Sequence, residues 1–262
     1  IHVENIKASL NKETLIVSLG TKLRVAKLKK VRDWFLNNDV LDFGDPAENF
    51  FRSRVLPEGF VDSKEVQGNV VKYFASFDEA IRDFNVEELP QEDEKDTSKS
   101  YKIDALHKMT DSQEMAAIPL KMESSGTLKM FALYPSLKDV LDNGGTLFID
   151  ELNARLHPLL VRNIILTFLS PEINTQNAQL IFTTHDIWQF SNELLRRDEI
   201  WLVNKNRDGV SELYSLADFK DEEGNKVRRD EALSKKYLTG NYGAIPALKP
   251  MKMLTGRAAD GE

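Results

Sequence analysis

The stretch Gly144-Gly145-Thr146-Leu147-Phe148-Ile149-Asp150-Glu151 constrains this chain more than any other. Thr146 to Ile149 is a short, apolar, partly β-branched run after a Gly-Gly turn, which reads as a buried central strand. A parallel strand covered on both faces delivers whatever follows it to the crevice where open α/β sheets bind ligands. Asp150 and Glu151 follow at once. Adjacent residues of an extended strand point to opposite sides, so the two acids should divide the work, one near a metal and one near a water. That is the logic of a nucleotide hydrolase. The competing reading is a strand end followed by a solvated acidic turn.

Composition narrows the classes. A chain of 262 residues can form one large α/β domain, or a core with an inserted subdomain, and either buries a sizeable core. No apolar run approaches the roughly 18 residues of a membrane helix, so no membrane association is expected. The absence of cysteine removes disulfides, thiolate metal sites and cysteine nucleophiles together. With no signal peptide visible, the expectation is a cytoplasmic protein. A net charge of −7 argues against broad nonspecific nucleic-acid binding and fits an ordinary acidic surface, leaving a local basic patch open. The first residue is Ile1 rather than Met, which fits a processed chain, a trimmed one or a fragment.

Residues 1–39 are expected to hold an N-terminal part of the core. His2 to Ile6 gives a weak strand signal, and apolar positions from Thr14 to Asn38 recur at helical spacing, with a break at Gly20. The basic residues between them read as a solvated helix face rather than a nucleic-acid surface. Residues 40–112 are expected to form an inserted, mainly helical subdomain, with helices at Ser63–Tyr73 and Ser76–Phe84. Its aromatics, Phe50, Phe51, Phe60, Tyr73, Phe74, Phe77 and Phe84, read as a local core rather than a stacking platform for bases. Glu87 to Ser100 reads as an exposed loop, and Tyr101 to Met109 as a strand. His107 has no second ligand at metal spacing and reads as a structural or surface histidine.

Residues 113–246 carry the chemistry, and 247–262 read as a tail. Ser124-Ser125-Gly126-Thr127 precedes an apolar helix; a Ser there either caps free N–H groups or, by the same physics, helps to bind phosphate. A strand at Gln179–Thr184 ends in His185-Asp186. Two core strands thus end in titratable residues. A helix is expected at Ile187–Leu195, then a hairpin of Glu199–Asn204 and Val210–Ser215.

These motifs, in this order, resemble the ATP-binding heads of the ABC-type ATPases that include the SMC, Rad50 and OLD proteins. They are most similar to the AAA-family ATPases of bacterial anti-phage and abortive-infection systems. Thr146 to Glu151 matches the Walker B pattern, and Leu152-Asn153-Ala154-Arg155-Leu156-His157-Pro158 the D-loop. Leu180 to Asp186 matches the switch-histidine loop. Ser124-Ser125-Gly126-Thr127 stands at the signature motif but departs from its Ser-Gly-Gly-Gln form. Tyr237 to Pro246 resembles the C-terminal end of the subgroup. The resemblance covers residues 118–246. It implies an α/β P-loop NTPase core with a mainly parallel sheet flanked by helices.

The resemblance also implies ATP and Mg2+, a metal held by Asp150, and catalysis by Glu151 on the attacking water. His185 would contact the γ-phosphate, and Ser124, Ser125, Gly126, Thr127 and Asn153 would line the nucleotide site. Two copies would close composite ATP sites as a homodimer, acting on an effector nuclease or DNA. One element is missing: Gly-x-x-x-x-Gly-Lys-Ser/Thr, the loop that cradles the phosphates, occurs nowhere in the sequence. The simplest expectation is that the N-terminal lobe carrying it is absent, and that the chain alone is inactive. The alternatives are a non-catalytic module that binds a partner or its own copy, and, third, a transport ATPase.

Overall fold

A three-stranded parallel sheet carries the acidic strand end. The computed structural model describes residues 14–36, 38, 40–52, 54–90, 99–110 and 112–246, with positions 4, 7 and 11. The strand signal at His2–Ile6, the Phe50 side chain, residues 91–98 of the acidic loop and the tail 247–262 lie outside the described residues. The chain divides into two units, residues 1–185 and 186–262.

In the first unit, in chain order, are α1 (Ile16–Lys22), α2 (Ala26–Leu36), β1 (Val40–Asp42), α3 (Pro46–Arg52) and α4 (Lys64–Ala75). Then follow β2 (Ile81–Glu88), β3 (Tyr101–Lys108), β4 (Met115–Pro119), α5 (Ser125–Asn143), β5 (Thr146–Asp150), α6 (Pro158–Leu169) and β6 (Gln179–Phe182). The parallel sheet has the order β1-β5-β6, and a second, antiparallel sheet the order β2-β3-β4. Helix α5 packs on β5, and α6 on β6. This is the expected α/β architecture of a parallel sheet flanked by helices.

The parallel sheet is buried on one face. Leu41, Leu147 and Ile149 are within a few per cent of full burial there. On the other face Val40, Phe148 and Ile181 lie in one cross-strand row, with Val40 and Ile181 half exposed. Trp34 of α2 meets Phe148 edge-on, at 6.1 Å between ring centroids.

Several local expectations change. The helical run from Thr14 passes through Gly20 and breaks instead at Arg24, whose φ of 59° lies in the left-handed region. Residues 40–112 are not mainly helical: β1, β2 and β3 lie among them beside α3 and α4. They cluster with the rest of unit one, β1 belongs to the parallel sheet, and the stretch expected as a helix at Ser76–Phe84 turns and enters strand β2. The cause is visible in the register, which shifts between Ile81 and Asp83. That irregularity leaves Ile81 and Phe84 both buried, an i, i+3 pattern that imitates a helix.

The aromatics of this stretch form a core. Phe60, Phe74, Phe84 and Phe131 are fully buried, with edge-on Phe60–Phe84 and Phe60–Phe131 pairs at 5.1 and 5.5 Å. Each such ring contributes about 1.5–3 kcal/mol through burial. Helix α4 starts at Ser63, whose hydroxyl accepts the Val66 N–H. His107 Nε2 donates to Glu123 Oε1 at 2.7 Å, and the side chain is mostly buried, a structural histidine rather than a surface one.

The second unit holds β7 (Trp201–Lys205) and β8 (Ser211–Ser215), an antiparallel hairpin as expected, and α7 (Leu233–Leu238). The helix expected at Ile187–Leu195 shrinks to one short 3-10 turn, Ile187–Gln189, capped by Asp186. Ile200, Leu202, Leu216, Val227, Leu233 and Tyr242 form its core. Tyr237 and Tyr242 of the C-terminal motif are structural: Tyr237 donates to the Ala244 carbonyl at 3.0 Å and Tyr242 to Glu231 at 2.8 Å. Burial, then Glu231, pushes the Tyr242 pKa up. No helix among the described residues is long and apolar enough to cross a membrane.

Candidate active site

The two acids are fixed by one hydroxyl. Asp150 is the last residue of β5 and lies in register with Asp42 of β1. Thr183, just past β6, donates its hydroxyl to Asp150 Oδ1. The Thr183 hydroxyl oxygen in turn accepts the Glu151 N–H at 2.9 Å. Glu151 itself has φ 50°. The strand has therefore ended, and simple alternation no longer sets where the two carboxyls point. A left-handed backbone at a non-glycine residue costs of order 1 kcal/mol and persists where its surroundings hold it, here through Thr183.

The Glu151 carboxyl lies against the turn after β1. A Cβ added to Gly44 would be 3.1 Å from Glu151 Cδ. That turn is shaped by Asp42, whose Oδ1 accepts the Gly44 and Asp45 N–H groups at 2.8 and 3.0 Å. His185 Nε2 is 3.7 Å from Glu151 Oε1, and the His185 side chain is 85 % exposed. It is not a core histidine. Its ring is free to meet a ligand.

Asn153 ties the segment after β5 to the one after β6. Its Oδ1 accepts the Thr184 hydroxyl at 2.8 Å and the His185 N–H at 3.3 Å, so that oxygen is committed internally. Leu152, fully buried, anchors the loop, and its N–H reaches the Thr183 carbonyl at 3.1 Å.

The Ser124–Thr127 turn begins α5. Ser124 Oγ accepts the Thr127 N–H at 3.1 Å and shares a proton with the Thr127 hydroxyl at 2.8 Å. The capping reading holds. Thr127 is buried, so its hydroxyl serves this turn rather than facing outward, whereas Ser124 and Ser125 are exposed. Gly126 sits close to the loop after β5: a Cβ there would be 3.1 Å from the Arg155 carbonyl.

Lys129, one turn further along α5, is fully buried. Its Nζ donates to the carbonyls of Glu151, Leu152 and Ala154 at 3.2, 2.7 and 2.9 Å, and sits 4.4 Å from the Phe43 ring centroid. Burial, then the Arg155 charge, lowers its pKa to about 7 against the opposing pull of Glu151. Sequence reasoning missed Lys129, because a lysine within an apolar helix pattern reads as solvent-facing. It missed Asp42, Gly44 and Thr183 as well. For Asp42 the available signal was an acid ending an apolar Val-Leu pair, the same pattern as Ile149-Asp150.

The structure therefore gathers Asp150, Glu151, Asn153 and His185 at the carboxyl ends of two adjacent strands. Ser124–Thr127 meet the same loop from α5. No group of three or more acids and histidines poised to hold a metal occurs among the described residues. Mg2+ typically takes one or two carboxylates and completes its shell with waters and phosphates, so Asp150 beside the Thr183 hydroxyl fits that ion when phosphate accompanies it.

Comparison with known protein families gives a match. A family model described as "AAA domain, putative AbiEii toxin, Type IV TA system" matches residues 31–187, more than half of the chain and all of the strand-end cluster. No curated protein and no solved structure matches it. The parallel sheet, its acidic strand end and this match lead to one conclusion: the chain belongs to that AAA-domain family.

Proposed function

We propose that this chain is the hydrolytic part of an ATPase head, cytoplasmic, of the ABC type found in SMC, Rad50 and OLD proteins. The observation that carries the reading is Thr183, which fixes Asp150 by its hydroxyl and the Glu151 backbone by its oxygen, with His185 3.7 Å from the Glu151 carboxylate. Mg2+, when bound, would be held by Asp150 and would neutralise charge on the phosphates. Glu151 orients a water and takes its proton as the water oxygen bonds to the γ-phosphorus. The bond from that phosphorus to the β–γ bridging oxygen breaks, and ADP leaves with the electron pair. His185 donates to the γ-phosphate. Ser124 and Gly126 of a second copy would complete the site, making the unit a homodimer that opens after hydrolysis and drives an effector nuclease or a DNA-acting partner. Phage defence by abortive infection suits the family description.

The test is ATP turnover by the intact polypeptide as its gene encodes it. Glu151→Gln should lose about 10²- to 10⁴-fold in turnover and accumulate an ATP-bound dimer in light scattering. Unchanged hydrolysis would sink the reading and favour a non-catalytic partner-binding module.

A further inference from the structure

We propose that Lys129 is a positioning residue that locks the backbone carrying Glu151 to helix α5, and so links the Ser124–Thr127 turn to the catalytic acid. The proposal rests on the ATPase reading for its consequence, and on geometry for its mechanism. An ammonium has three N–H donors. Lys129 Nζ spends its donors on three carbonyls within four residues, those of Glu151, Leu152 and Ala154. These carbonyls point to one place because the chain has left the strand with Glu151 at φ 50°.

The same helix touches the loop a second time. Gly126, three residues earlier, leaves room for the Arg155 carbonyl, which a Cβ would approach to 3.1 Å. The start of α5 and the segment 151–155 are thus joined at two points. Asn153, inside that segment, in turn holds Thr184 and the His185 N–H. A ligand that displaces the Ser124–Thr127 turn must therefore shift the loop that sets Glu151 and His185, because packed elements move as units rather than stretch.

The experiment compares Lys129→Met and Lys129→Arg in the intact polypeptide, by amide hydrogen exchange without nucleotide and by ATP turnover. Lys129→Met should raise exchange at Leu152–Leu156 by at least about tenfold while the far end of α5 stays protected, since each lost hydrogen bond is worth about 1 kcal/mol. It should lower kcat by roughly 10- to 100-fold, the cost of a misplaced catalytic group, with KM for ATP within about twofold. Lys129→Arg, which keeps the charge and several donors, should recover part of kcat. Unaltered exchange at Leu152–Leu156 overturns the proposal whatever the enzyme does. So does an unaltered kcat, or a loss shared by KM and thermal stability with no recovery by arginine. A wild-type protein that hydrolyses no ATP instead overturns the ATPase reading, and exchange alone then decides the anchoring of the loop.

Discussion

Asn153 accepts the Thr184 hydroxyl at 2.8 Å, so one side-chain oxygen holds together the segments that follow two neighbouring strands. The His185 N–H, at 3.3 Å, reaches the same oxygen. Asn153→Ala removes both bonds at about 1 kcal/mol each. The expected result is faster amide exchange at Thr184 and His185, and turnover lowered by about tenfold. An Asn153→Ala protein with unchanged exchange there would show that the amide does not hold the loop.

Gly44→Ala tests the seat of the Glu151 carboxyl. The new methyl would sit 3.1 Å from Glu151 Cδ and 3.2 Å from Asp42 Oδ1, so the carboxyl must give by a few tenths of an ångström. Overpacking costs about 1–3 kcal/mol in a closed core, and less at this exposed turn. Turnover should fall by roughly tenfold or more while the melting temperature moves by only a few degrees, roughly. Equal turnover in Gly44→Ala and wild type would place the working position of Glu151 elsewhere.

Lys129 should shape the alkaline side of the stability profile. Its pKa is lowered from 10.5 to about 7 on folding. Between these values the unfolded chain binds more protons than the folded one, so stability rises with pH across that window. Below about 7 both states carry the charge and this contribution no longer varies. Urea unfolding from pH 7 to 10 should show the rise in wild type and a flatter line in Lys129→Met, whatever the absolute stability of the variant.

Glu231 should shape the acid side. Burial alone would raise its pKa, but the Arg228 N–H, Lys236 and Tyr242 hydrogen bonds outweigh it and hold it below the ordinary 4.5. A depressed carboxylate contributes stability that is present above its unfolded pKa and lost as pH falls through the folded one. Glu231→Gln should therefore remove part of the acid-induced loss below pH 4.5, read by tryptophan fluorescence. An unchanged acid limb would contradict the role of this cluster.

Residues 1–262 contain no Gly-x-x-x-x-Gly-Lys-Ser/Thr loop, so titration calorimetry on this segment alone should give weak ATP binding or none. Micromolar affinity would mean that another backbone cradle serves the phosphates.

How much of this was legible depended on how far each signal was local. Strand β5, strand β6 and the Ser124 cap follow from apolar runs and capping residues that need no distant partner. Strand β2 was hidden because its irregular register puts Ile81 and Phe84 on one side, at the spacing of a helix. Strand β1 has three residues, too few for any period to show. In the site, Asp150, Glu151 and His185 announced themselves by ending strands. Lys129 and Thr183 did not, since their importance lies in carbonyls and carboxylates brought to them only by the fold.

Among the described residues, the row Val40, Phe148 and Ile181 leaves the parallel sheet with an apolar side half open to water, and β1 and β6 stand at its two margins. Parallel strands are normally clad on both sides, and bare strand margins recruit other chains. Handled by itself, this polypeptide should behave as an adhesive: its shelf life would be governed by concentration and by additives that coat oily surfaces, more than by its melting point.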